Sequence, residues 1–157
     1  MQTTSEPPSR SLASSPTDPE LAARLRLAIT RMARRLRQES GAGGETSPTR
    51  TAALATIERE GPLTPSALAE VERIQRPTAT RVVARLEAAG LVTRTPDPLD
   101  GRVARVAITA EGRALLRRIR TRKNQYLARR LRSLDADDLA TLERAARILE
   151  RLLAERS

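Results

Sequence analysis

The side chains that most often carry enzyme chemistry are missing from this sequence. Its 157 residues include no histidine and no cysteine. That removes the imidazole general base, the thiolate nucleophile and the usual zinc sites. It also removes a disulfide framework and a thiol redox switch. Carboxylates and hydroxyls are what remain for catalysis. The acid pair Asp97 and Asp100 sits in RTPDPLDGR, residues 94–102, a turn broken by two prolines and a glycine. No histidine or metal-ligand set accompanies it, so turn and capping roles fit better than acid–base work. Neither an enzyme nor a metal or other cofactor is expected.

The chemistry this chain can do is cationic. It carries 28 arginines and one lysine for a net charge of +10, which points to a polyanion, nucleic acid first and a membrane surface second. Arginine over lysine also fits the codon bias of a GC-rich genome, so the sign of the charge carries the argument. Residues 73–118 hold ten arginines against Glu87, Asp97, Asp100 and Glu111, a local +6. More than half of the excess therefore lies in less than a third of the chain.

The elements that must position these arginines are legible from caps and periodicity. Residues 1–17 are rich in Ser, Pro and Thr and poor in bulky apolar groups, so they are expected to be a disordered tail. Asp18-Pro19-Glu20 reads as N-cap, first-turn proline and acid, and Leu21, Leu25, Ile29, Met32 and Leu36 follow at helical spacing to about residue 39. Ser47-Pro48 and Thr64-Pro65 open a second helix and a short third one. A fourth begins near Arg76-Pro77, with an inward stripe of Ala79, Val82, Val83 and Leu86, and ends at Gly90. The period then changes to strand at residues 91–95 and 103–108, so the proline-rich stretch is a hairpin loop. Thr109 caps a long basic helix to about Leu131. Asp135 with Asp138 resembles a capping box before a last helix bearing Leu139, Leu142, Ala146, Leu149 and Leu153.

Helix, turn, helix and two-stranded hairpin in that order make a winged helix-turn-helix. The class is mainly α with a small β-hairpin wing. A helix fits a major groove, and a hairpin loop reaches the backbone or the adjacent minor groove. The outward face of residues 76–88 carries Arg76, Thr78, Thr80, Arg81 and Arg85, types suited to phosphate oxygens and guanine edges. With Asp100, Arg102 and Arg105 of the hairpin they form the candidate DNA-binding set.

These residues are similar to those of a known family. The stretch around residues 48–120 resembles the multiple antibiotic resistance regulator (MarR) family, most closely at TRVVARLEAAGLV (80–92), DPLDGR (97–102) and ITAEGR (108–113). The resemblance implies a homodimer with interlocked N- and C-terminal helices. It implies binding to a palindromic double-stranded DNA operator, usually as a repressor, and in many members release by a small aromatic or lipophilic effector. It matches Thr78, Thr80, Arg81 and Arg85 to recognition-helix contacts, Arg102 to a wing-tip arginine entering the minor groove, and Asp100 to the acid that helps hold it. Pro77 departs from the serine often found there, and the absence of cysteine excludes the thiol-oxidised members. The ligand-binding positions are marked by no motif.

The organisation expected is a tail at 1–17, an N-terminal dimerisation helix and linker at 18–47, a DNA-binding region at 48–112 and C-terminal dimerisation helices at 113–157. A dimer also suits a chain with one Tyr and no Phe or Trp, whose monomer core must be thin. Tyr126 reads as a packing residue. The basic stretch at 117–123 reads equally as a solvated face or as a flank of the DNA footprint. A winged-helix protein-interaction module is the alternative function. No apolar run approaches the ~18 residues of a membrane span and no signal-peptide pattern is present, so a soluble cytoplasmic protein is expected.

Overall fold

A computed structural model describes residues 18–39, 47–97, 100 and 103–154. The expected tail, and Pro98, Gly101 and Arg102 of the hairpin loop, lie outside the described residues. The elements are α1 (Asp18–Glu39), α2 (Pro48–Glu60), α3 (Pro65–Glu72), α4 (Arg76–Ala88), β1 (Val92–Pro96), β2 (Ala104–Ile108), α5 (Ala110–Leu131) and α6 (Ala136–Ala154). By backbone packing the chain divides into two units, residues 1–34 and 35–157.

Short-range chemistry sets the helix boundaries. The hydroxyls of Ser47 and Thr64 accept the amides of Arg50 and Ala67, and prolines follow within the first turn of α2 and α3. Asp18 is the first residue of α1 and not its cap, one position from the expected start. An acid there suits the helix N-terminus equally well. The helix-turn-helix bend is made by Arg73, which takes a left-handed backbone (φ 52°) so that the amide of Ile74 reaches the Ala69 carbonyl at 2.9 Å. Gly90 (φ 70°) plays the same part after α4, where the Leu91 amide reaches the Leu86 carbonyl at 2.9 Å.

β1 and β2 pair antiparallel, with Val92 opposite Ile108 and Pro96 opposite Ala104. Leu63, between α2 and α3, adds a bridge that the sequence pattern does not reveal: it exchanges both backbone hydrogen bonds with Val106. The core gathers Leu54 and Ile57 of α2, Leu68 of α3, Val82, Val83 and Leu86 of α4, Val92 and Val106 of the hairpin, and Leu115, Leu116 and Ile119 of α5. Those last three lie beyond the expected boundary at residue 113, so the first turns of α5 pack within the winged-helix core. Glu58 of α2 and Arg120 of α5 add an ion pair between these helices. Tyr126 is buried, with the guanidiniums of Arg35 and Arg130 over its ring at 5.9 and 5.4 Å from the centroid. The Tyr126 hydroxyl and, less strongly, Glu39 raise the pKa of Arg35.

The start of α5 is sterically specified. The Thr109 hydroxyl donates to the Gly90 carbonyl at 2.7 Å and accepts the Gly112 amide at 3.1 Å. A Cβ on Gly112 would collide with the backbone carbonyl oxygen of Leu91 and lie 2.8 Å from Ile108 Cγ1. Alanine raises intrinsic helix propensity by about 1 kcal/mol over glycine, but the obstacle here is backbone. Overpacking of this kind costs roughly 1–3 kcal/mol. Gly112→Ala is therefore expected to lower the thermal midpoint, and a raised midpoint would refute the close approach.

Candidate nucleic-acid interface

α4 is buried on one side and open on the other. Ala79, Val82, Val83 and Leu86 are buried, while Arg76, Thr80, Arg81 and Arg85 are exposed. Its N-cap, Gln75, makes no side-chain capping hydrogen bond and no acid occupies the first turn, which leaves the positive end of the helix to an incoming anion. Arg76 lies 3.7 Å from Glu70 in a solvent-exposed pair, an interaction worth little in water. The Thr80 hydroxyl donates to the Arg76 carbonyl at 3.1 Å, and Arg81 Nε lies 3.4 Å from the Pro77 carbonyl. Thr78 is half-buried and shares a concavity with Arg81 and Arg85. At the far end of the helix Glu87 pairs with Arg94 of β1 at 2.8 Å, tying helix to hairpin.

The hairpin is organised by Asp97, which does more than the turn and capping roles expected of it. Its amide donates to the Val103 carbonyl at 2.7 Å. Its carboxylate accepts the Asp100 amide at 3.3 Å through Oδ1 and pairs through Oδ2 with Arg105 Nε. The Asp97 side chain is 8% exposed and that of Arg105 is 41% exposed. A signal for this pair exists in the register: Asp97 stands opposite Val103, and Arg105 is the diagonal neighbour on the same face. Asp100 is exposed, and its carbonyl accepts the Val103 amide at 2.9 Å. Arg102 lies outside the described residues. The structure thus brings Thr78, Arg81 and Arg85 to one surface, and places Arg105 against Asp97.

Three residues outside the expected set join that surface. Ser47, Thr49 and Arg50, at the start of α2, line the same concavity as Thr78, Arg81 and Arg85. Only the fold brings them there, because α2 and α4 are separate in the chain and meet through the core.

Comparisons with known proteins agree with this architecture. The model of the MarR family matches residues 46–104. The chain is 37% identical over 139 residues to the uncharacterized HTH-type transcriptional regulator ML2140 of Mycobacterium leprae, covering 88% of this chain and 96% of that protein. The chain belongs to the MarR family. Among solved structures it is similar to a transcriptional regulator protein of Pseudomonas aeruginosa, with TM-score 0.76 and 33% identity over 87% of this chain and 96% of that one. It is also similar to the Multiple Antibiotic Resistance Repressor MarR, with TM-score 0.69 and 25% identity over 82% and 94% of the two chains. Like its MarR-family relatives, the chain is a DNA-binding transcriptional regulator with a winged helix-turn-helix, and not an enzyme. No helix among the described residues is long and apolar enough to cross a membrane.

The Asp97–Arg105 pair of this MarR-family wing is testable in stability. A double-mutant cycle of Asp97→Ala and Arg105→Ala, followed by urea melts, should give a coupling of at least about 0.5 kcal/mol. Additive single effects would mean that the pair contributes nothing, as many solvent-accessible ion pairs do.

Proposed function

We propose that this regulator acts as a homodimeric repressor on a palindromic operator, with α4 of each protomer in the major groove. The observation that carries this reading is the division of α4 into a buried apolar side and an exposed side bearing Thr78, Arg81 and Arg85. Arginine there reads guanine edges or grips phosphate, and threonine hydroxyls suit phosphate oxygens. Arg102 at the wing tip enters the adjacent minor groove, and Arg76, Thr80 and Asp100 flank these contacts. Arg105, held by Asp97, stiffens the second strand from which the wing extends.

Dimerisation is supported by apolar faces that the chain itself leaves uncovered. Neither α1 nor α6 has a buried residue. Leu21, Leu25, Ile29 and Met32 of α1 and Leu139, Leu142, Leu152 and Leu153 of α6 are all at least 40% exposed. Rows of this kind, spaced at helical intervals, mark a helix–helix interface. Repression is supported by likeness to a structure named as the Multiple Antibiotic Resistance Repressor MarR, and release by a small aromatic or lipophilic effector is carried only by the family resemblance stated above.

Selection of bound DNA from a random pool, followed by anisotropy titrations at several salt concentrations, tests the reading. Affinity should fall steeply with salt as counterions are released, and a flat response would favour a protein-interaction module instead. On the selected site Arg102→Ala should weaken binding without moving the thermal melt. Arg81→Ala should cost roughly 1–3 kcal/mol and relax preference at one position if it reads a base. Footprints should show two half-sites with centres about 10 bp apart; a footprint without dyad symmetry would rule out the two-fold dimer. Leu142→Glu should convert the dimer to monomer in sedimentation velocity and abolish that symmetry, and an unchanged dimer would remove α6 from the interface. Repeating the titration with a panel of aromatic acids tests release.

A further inference from the structure

We propose that Arg50 clamps a DNA backbone phosphate against α4, making the start of α2 a DNA-contacting element beside the recognition helix and the wing. The proposal rests on the DNA-bound reading above and adds to it a contact that neither the helix-turn-helix nor the wing supplies.

Three observations carry it. First, Arg50 lines one concavity with Ser47, Thr49, Thr78, Arg81 and Arg85, so three arginines and three hydroxyl residues, from two helices and the cap of α2, border one space. Second, among the described residues none of these three arginines has a carboxylate partner, whereas arginines around them do: Arg59 with Glu60, Arg76 with Glu70 and Arg94 with Glu87. Like charges gathered without a counter-ion repel, and an anion in their midst turns that repulsion into attraction. Third, Arg50 is pre-set. The Ser47 hydroxyl accepts both its backbone amide, at 3.4 Å, and its Nε, at 3.3 Å. Its side chain is half-buried. Binding then orders little that is not already ordered, and both terminal nitrogens remain to grip an oxyanion.

The anion is a backbone phosphate because of where the concavity lies. Thr78, Arg81 and Arg85 belong both to it and to the outward side of α4. A duplex seated on α4 therefore carries a sugar–phosphate strand past Arg50, while the bases stay with the helix inside the groove. Contacts of this kind position the protein and carry no sequence information.

The test compares wild-type protein with Arg50→Ala and with Arg59→Ala, a control on the same helix whose arginine is already paired, on the site selected from the random pool. For Arg50→Ala the slope of log affinity against log salt should drop by about one phosphate's share. The loss of affinity between 50 and 200 mM salt should then shrink roughly 3- to 4-fold relative to wild type. Preference among base substitutions in the site and the thermal melt should stay as in wild type, and Arg59→Ala should keep the wild-type slope. A scan of single methylphosphonate substitutions should find one position per half-site whose neutralisation weakens wild type but not Arg50→Ala. An unchanged slope in Arg50→Ala, or a loss confined to one base-pair position, would overturn the clamp. If wild type itself shows no salt-dependent binding to any selected DNA, the DNA-bound reading fails as a whole, which is a separate result.

Discussion

One side chain joins the parts of this molecule that must keep a fixed relation on DNA. The Thr109 hydroxyl donates to the carbonyl of Gly90, which ends the recognition helix, and accepts the amide of Gly112, which opens α5. The Thr109 amide closes on the Leu91 carbonyl at the base of the hairpin. Helix α4, the two strands and α5 therefore meet at one junction. The missing Cβ of Gly112 lets the new helix approach the Leu91 backbone closely enough to form it. The TAEGR motif thus has a mechanical meaning: cap, acid in the first turn, and a glycine where nothing larger fits. Arg113 adds to it by donating to the Ile108 carbonyl at 3.2 Å.

The arginines divide into two populations. One is neutralised in place and links elements: Arg94 with Glu87 across α4 and β1, Arg120 with Glu58 across α5 and α2, Arg105 with Asp97 within the hairpin. The other, Arg81 and Arg85 on the outer side of α4 and Arg50 at the start of α2, has no carboxylate partner among the described residues, whereas Arg76 beside them pairs with Glu70. A basic protein needs both. Uniform pairing would leave no field for a polyanion, and no pairing would load the fold with self-repulsion.

Aliphatic residues of modest size make up the core, so little apolar area is hidden by any one of them. The winged-helix core spends these residues where α2, α3, α4, the hairpin and the start of α5 converge. α1 and α6 keep theirs on the outside. The same thin supply is the physical ground for the proposal that a second copy covers these faces.

What the sequence determined by itself is what depends on neighbours a few residues away. Ser47, Thr64 and Thr109 announce helix starts because a hydroxyl can reach an amide only two or three residues on. Ala79, Val82, Val83 and Leu86 announce a buried face because the helix repeats every 3.6 residues. The change of period at residue 91 announces the hairpin. From these the element order and the winged-helix class follow, along with the outward Thr78, Arg81 and Arg85. Only the tertiary structure decided the Leu63–Val106 bridge, the place of Leu115, Leu116 and Ile119 in the winged-helix core, Arg105 against Asp97, and Arg50 beside Arg81 and Arg85. Each is a meeting of elements across the core or the hairpin. A charge or an apolar residue carries no mark of which distant partner it will face until packing has fixed the elements in space.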